Sequence, residues 1–217
     1  SRALDQYCGE RDSSAALLHG VADRDHPKTV FVCPGHGSQW IGMGRDLFEC
    51  EPAFHAALEA CDATIRRTAG WSVIAALRSG EPDRWSDVGT VQPMIFSLSV
   101  ALSALWRSWG IEPDAVVGTS MGEVAAAHIA GLLDLEAAAR VICVRSALLR
   151  EKIGLGAMAM FELELGEAEA IAERFVGQIS VAASHGPRST VLSGDETILR
   201  SLLEEFEVRG TFCRLIR

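Results

Sequence analysis

At 217 residues, 48% of them hydrophobic and 23% charged, the chain can fill one sizeable core and a small second lobe, in the proportions of an ordinary globular protein. A formal net charge of −9 without any block of basic residues excludes nucleic acid as a partner, because phosphate binding needs clustered Lys and Arg. Apolar runs break before bilayer length and the start, SRALDQYCGERD, has no apolar signal core, so neither a membrane span nor a leader is expected and the setting reads as cytoplasmic.

Residues 1–27 are polar and irregular apart from a short helix around 13–21, and read as an entry linker. The run KTVFVC (28–33) is short, β-branched and aromatic, which predicts a buried strand. A glycine-rich loop, PGHGSQWIGMG, follows, and its glycines let backbone turn sharply and approach a ligand. Phe54, Leu58, Cys61 and Ile65 give 52–68 a helical period, and 72–77 predicts another turn or two. Residues 93–109 are apolar with small residues interleaved, which predicts a buried helix beginning at Pro93. DAVVG (114–118) reads as a buried strand, and a helix follows Ser120 up to Gly131. Asp134 is an N-cap for a helix over 135–152.

After Gly154 the texture changes to strand 158–163, helix 167–175, strands 179–183 and 190–193, helix 196–208 and strand 211–216. That order, βαββαβ, is the ferredoxin-like pattern, whereas the preceding alternation of helices and strands predicts a parallel sheet. The expected architecture is α/β: linker 1–27, an incomplete α/β-hydrolase-like parallel-sheet core over 28–153, and a ferredoxin-like small subdomain over 154–217. The six cysteines (Cys8, Cys33, Cys50, Cys61, Cys143 and Cys213) form no CxxC pair, so they read as reduced, mostly buried thiols rather than a metal or redox site.

The chemistry concentrates in Gly118-Thr-Ser120-Met-Gly122. A Gly-x-Ser-x-Gly between strand and helix is a nucleophile elbow: the turn accepts only glycine at its flanks and lifts the serine hydroxyl above the sheet edge. The helix that follows points its free N–H groups at the same spot. One such donor to a tetrahedral oxyanion is worth about 2.7–4 kcal/mol.

GTSMGEVAAAHIAGLLDLEAAARVICVRSALL, with FVCPGHGSQWIGMG and VQPMIFSLSVALSALWRSWGIEPDAVVG before it and GAMAM and SHGPRSTVLSGD after it, resembles the malonyl-CoA:acyl-carrier-protein transacylases and the acyltransferase domains of modular polyketide and fatty acid synthases. The resemblance runs from about Thr29 to the end. It implies that Ser120 is the acyl-carrying nucleophile, with the backbone N–H groups of His36 and Met121 as oxyanion hole. It places Arg145 where the family grips the free carboxylate of malonyl-type groups, a task suited to a planar, permanently charged fork. Gln92 and Thr119 would line the site, as would His185, which stands where the family has Asn. Thr119 replaces a His usual before the serine, and His36 replaces a Gln between two glycines; the oxyanion role of His36 belongs to the backbone and survives.

The resemblance further implies no bound cofactor or metal, an acyl-CoA donor (malonyl-CoA or methylmalonyl-CoA), an acyl carrier protein as acceptor through its phosphopantetheine arm, and a neighbouring ketosynthase in a multidomain parent. Met121, an aliphatic residue after the nucleophile, favours malonyl over methylmalonyl. The family's catalytic histidine comes after the small lobe, and none of His19, His26, His36, His55, His128 and His185 matches its position. A C-terminal remainder supplying that histidine is therefore expected. A serine hydrolase or esterase of related fold, or a non-catalytic domain of a megasynthase with a decayed site, are the alternatives.

Overall fold

The computed structural model describes residues 28–216; the linker and short helix expected over 1–27 lie outside the described residues. Strand β1 (Val30–Cys33) runs parallel to β2 (Ala115–Gly118), with Val30 opposite Ala115 and Cys33 opposite Gly118. Parallel strands need a long crossover, and here it is helical: α1 (Arg45–Cys50), α2 (Pro52–Ala69), α3 (Val73–Ser79), α4 (Pro82–Ser86) and α5 (Val88–Ser108). After β2 come α6 (Gly122–Ile129) and α7 (Leu135–Arg150).

The helix ends follow from local chemistry. Pro52 opens α2 and Gly70, in left-handed conformation, closes it. The Ser72 hydroxyl accepts from the Ala75 N–H at 3.0 Å to cap α3, and the Asp134 carboxylate accepts from the Ala137 N–H at 2.7 Å to cap α7. Buried Asp62 locks α2 to the start of α3 by accepting from the Ser72 hydroxyl (2.6 Å), the Ile74 N–H (3.0 Å) and Arg66 Nε (2.8 Å).

Helix α5 is the axis of this unit: Val91, Met94, Ile95, Phe96 and Leu98 are almost wholly enclosed by α2, α6 and α7. Its 21 residues, with a window of mean hydropathy 1.6, pass a membrane-span test on length and composition, but that apolar surface is spent on the core. The helix begins at Val88, five residues before the expected start at Pro93, which lies inside it. Proline ends most helical patterns because it lacks an N–H. At Pro93 the missing bond would have gone to the Gly89 carbonyl, which instead has the Ser146 hydroxyl of α7 at 3.5 Å. The short helices α1 and α4 had no sequence signal; five or six residues are too few for a period to show.

The remaining elements are β3 (Ala157–Phe161), α8 (Leu165–Glu173), β4 (Ile179–Gly186), β5 (Ser189–Gly194), α9 (Glu196–Val208) and β6 (Cys213–Ile216). Their sheet is antiparallel in the order β4-β5-β3-β6, the ferredoxin-like arrangement. Ala168 and Ile171 of α8 and Leu199, Leu202 and Phe206 of α9 pack on Ala159, Phe161 and Leu192, forming a hydrophobic cluster separate from the one around α5.

One expectation fails. Strands β1 and β2 are covered on one face only: Phe31, Cys33 and Val116 meet the core, whereas Val30 and Val117 are each 50% exposed and Val32 67%. Parallel sheets bury both faces, so an unbroken apolar run predicted burial on both sides, and among the described residues nothing packs on the second.

Candidate active site at the strand–helix elbow

Between Gly118, the last residue of β2, and Gly122, the first of α6, the chain reverses within three residues. Ser120 has φ 54°, the one non-glycine residue with positive φ among the described residues. That conformation costs about 1–2 kcal/mol for a residue with a Cβ, so the surroundings must hold it. They do so by backbone hydrogen bonds: Thr119 N–H donates to the Cys33 carbonyl (3.1 Å), Gly122 N–H to the Thr119 carbonyl (2.9 Å) and Glu123 N–H to the Ser120 carbonyl (3.1 Å).

Both flanking glycines are sterically required. A Cβ on Gly118 would overlap the backbone of Gly122 and Glu123, and one on Gly122 would overlap the carbonyls of Cys33 and Pro34. Gly35 brings the loop after β1 against the turn, since a Cβ there would sit 3.0 Å from the Thr119 carbonyl oxygen and 3.7 Å from Ser120 Cβ. The Ser120 side chain is exposed at the top of this assembly, while Met121 is anchored in the core at 1% exposure. Neither the Met121 nor the His36 N–H donates a hydrogen bond among the described residues. Met121 follows Ser120 directly in the chain and His36 follows Gly35, which packs against the turn; unengaged backbone N–H groups are the kind of donor that an oxyanion site uses.

A residue that the sequence reading passed over shapes the loop. Gln39 accepts from the Gly37 N–H through Oε1 (2.8 Å), while its Nε2 lies 3.3 Å from His36 Nε2 and 3.5 Å from the Trp85 carbonyl of α4. It therefore ties the glycine loop to the segment that leads into α5. An amide in the middle of a glycine-rich loop was the available signal. Burial of Cys33, where β1 meets this loop, pushes its thiol pKa up, which keeps it protonated and inert.

Gln92 and Arg145, 53 positions apart in sequence, are in contact: Arg145 donates from a terminal nitrogen to Gln92 Oε1 at 2.5 Å. Gln92 is buried and Arg145 half-buried, so one amide takes one donor of the guanidinium fork and its other nitrogens remain for a ligand. Arg145 also borders an open groove of about 720 Å³ with Val141, Val144, Leu148, Arg140 and Lys152, a cationic margin on a chain of net charge −9.

Thr119 is exposed at the elbow. His185 is exposed on β4, and no hydrogen bond joins it to the elbow or to Arg145 among the described residues. His128 donates through Nδ1 to the Leu133 carbonyl at 3.0 Å and packs near Phe96, which makes it structural. His55 is likewise occupied by the Phe48 carbonyl (2.8 Å) and the stacked Phe48 ring. Among the described residues no histidine is hydrogen-bonded to Ser120.

Comparison with known proteins gives one family. Residues 30–217 match the family model for the acyl transferase domain. The chain is 43% identical to erythronolide synthase EryA2 of Saccharopolyspora erythraea over 216 residues, covering 96% of this chain and 6% of that synthase. The acyltransferase domain from the second module of the salinomycin polyketide synthase superposes with a TM-score of 0.88 at 33% identity, over 100% of this chain and 50% of that one. A malonyl-transacylase, PlMCAT, solved in complex with the type II acyl carrier protein AntF, superposes with a TM-score of 0.75 at 25% identity, over 88% of this chain and 62% of that one. The chain thus spans about half the length of that salinomycin synthase domain structure and a small fraction of the erythronolide synthase.

Proposed function

Because the chain belongs to the acyl transferase domain family, as found in modular polyketide synthases, we propose that it loads a malonyl-type extender unit from an acyl-CoA onto the phosphopantetheine arm of an acyl carrier protein, through an acyl ester on Ser120. The observation that carries this reading is the Ser120 turn, strained to φ 54° and packed against Gly35 of the glycine loop, with the N–H groups of Met121 and His36 donating to nothing among the described residues.

In the proposed reaction the Ser120 hydroxyl attacks the thioester carbonyl, its proton passes to a base, and the oxyanion is held by the two amides until CoA leaves as the thiol. The carrier's thiol then attacks the serine ester by the same route and restores Ser120, a ping-pong sequence. Arg145, oriented by Gln92, would pair with the free carboxylate of the acyl group, and Arg140 and Lys152 add positive potential around it. The aliphatic Met121 favours malonyl over methylmalonyl. The base is proposed to be a histidine from further polypeptide of the parent synthase; His55 and His128 are already engaged elsewhere, and the uncovered face of β1 and β2 offers that polypeptide a seat. A neighbouring ketosynthase and a cognate carrier protein are the partners this setting implies, and PlMCAT with AntF is a precedent for the second.

The test is covalent loading of the synthase module that carries this chain. Incubation with malonyl-CoA and, separately, methylmalonyl-CoA is expected to leave an acyl adduct on the peptide containing Ser120, formed faster and to a greater extent with malonyl-CoA, and no adduct in Ser120→Ala. An adduct on another residue, or none with either donor, would overturn the reading.

A further inference from the structure

The Gln92–Arg145 contact is the innermost of three links between the start of α5 and the end of α7. At the outer end Arg150 Nε lies 3.3 Å from Asp87 Oδ1, while Asp87 Oδ2 accepts from the Thr90 hydroxyl at 2.7 Å. In the middle the fully buried Ser146 hydroxyl sits between two acceptors, its own-helix Cys143 carbonyl at 3.0 Å and the Gly89 carbonyl at 3.5 Å. Gly89 is free to accept because Pro93, four residues on, has no N–H to give it. Gly89 also leaves room for the clasp, since a Cβ there would stand 3.2 Å from the Arg150 side chain and 3.4 Å from Asp87 Oδ2.

The order of the links fixes geometry. Asp87 at the N-cap of α5, then Gly89 and Gln92 within it, advance along that helix while Arg150, Ser146 and Arg145 retreat along α7, so the two helix segments run antiparallel with their register pinned. From Asp87 to Gln92, and from Arg150 to Arg145, the distance is five residues, about 7.5 Å of helix. A shift of α7 by a fraction of a turn would therefore carry the Arg145 guanidinium away from the place where Gln92 aims it.

We infer that Asp87, Ser146 and Arg150 are positioning residues for the acyl carboxylate: they set the register of α7 on α5 and through it the direction of the Arg145 fork. The inference rests on the reading of Arg145 as the carboxylate ligand. Asp87 and Arg150 touch no substrate; they act through the Gln92–Arg145 pair. A positioning loss of this kind weakens donors that carry a free carboxylate and spares those that do not.

The experiment uses the complete synthase module with Ser120→Ala, so that donors bind without reacting. Dissociation constants are measured for malonyl-CoA or methylmalonyl-CoA, whichever loads faster, and for its carboxylate-free analogue, acetyl- or propionyl-CoA. Arg150→Gln and Ser146→Ala are each expected to weaken the dicarboxylic donor about 3- to 10-fold and to leave the analogue within about two-fold. Arg150→Lys, which keeps the charge opposite Asp87, is expected to restore most of the loss. Equal weakening of both donors, or no weakening of either, overturns the brace. Arg145→Ala is the internal control. If it fails to separate the two donors, the carboxylate role of Arg145 falls and takes the brace with it. If Arg145→Ala separates them and Arg150→Gln and Ser146→Ala do not, the brace alone falls.

Discussion

At the scale of single residues, the elbow combines strain at one position with steric necessity at its neighbours, and these respond to substitution in opposite ways. Ser120 holds φ 54° despite its Cβ, so Ser120→Gly removes that conflict along with the proposed nucleophile. It is expected to raise stability by about 1 kcal/mol while abolishing acyl loading, measured by denaturant titration beside the adduct assay. Gly122→Ala does the reverse: its new methyl meets two backbone carbonyls, those of Cys33 and Pro34, which cannot swing aside as a side-chain tip would. A loss of about 3 kcal/mol or more is expected, with β1 and the elbow driven apart. If Gly122→Ala folds and loads normally, the contact between the glycine loop and the elbow is looser than these carbonyls allow. The elbow was the most legible part of the site, because its spacing is a steric requirement written in glycines. That Gln92 and Arg145 both belong to the site was readable only through the family resemblance, and their contact was not foreseen, since nothing local links positions 53 apart. Gln39 was missed because a loop amide has no period and no fixed spacing.

At the scale of elements, α2, α5 and α7 share a core in which two thiols are hidden. Burial pushes Cys61 up to about 12 and Cys143 up to about 11, from an ordinary value of 9.0. A raised thiol pKa means that above pH 9 the native state keeps protons which the unfolded chain has released. Unfolding then releases protons, so the thiols' contribution is whole below pH 9 and is lost as pH climbs through 11 and 12. Stability is expected to fall between pH 9 and 11 by up to about 1.4 kcal/mol per pH unit for each thiol, read from urea midpoints at a series of pH values. In the Cys61→Ala, Cys143→Ala double variant the starting stability is lower and that descent is shallower; an unchanged slope would mean that other groups set it. These helices were readable to within a few residues where apolar spacing and caps agree, as in α2, or α7 behind Asp134. Only α5 was misjudged at its start. Proline normally marks a first turn, and here the orphaned Gly89 carbonyl is accommodated by Ser146 of a neighbouring helix, a tertiary remedy with no local trace.

At the scale of the molecule, the antiparallel sheet β4-β5-β3-β6 has helices on one face, as antiparallel sheets tolerate, but the parallel pair β1–β2 has the same one-sided cover, which parallel sheets do not. Val30, Val32 and Val117 form its open side, and the groove beside β1 is lined by Leu102, Trp106 and Ile111. The buried Ser103 hydroxyl on the wall of that groove has no hydrogen-bond partner among the described residues. The one-sided cover was not legible beforehand, because an apolar run such as VFVC shows that a strand wants burial and not which chain segment provides it. Val32 separates the two possibilities. On a surface open to water, Val32→Lys changes stability by no more than about 0.5 kcal/mol. Beneath a second layer it places an ammonium against packed side chains and costs about 2 kcal/mol or more. The expected result for the complete synthase module is the larger loss, measured as a drop in the chemical denaturation midpoint. It should be accompanied by slower acyl loading at Ser120, because β1 ends at Cys33, whose carbonyl holds the Thr119 N–H of the elbow. A neutral Val32→Lys in the complete module would mean that the face is bare in the working enzyme, and that the base for Ser120 arrives by another route.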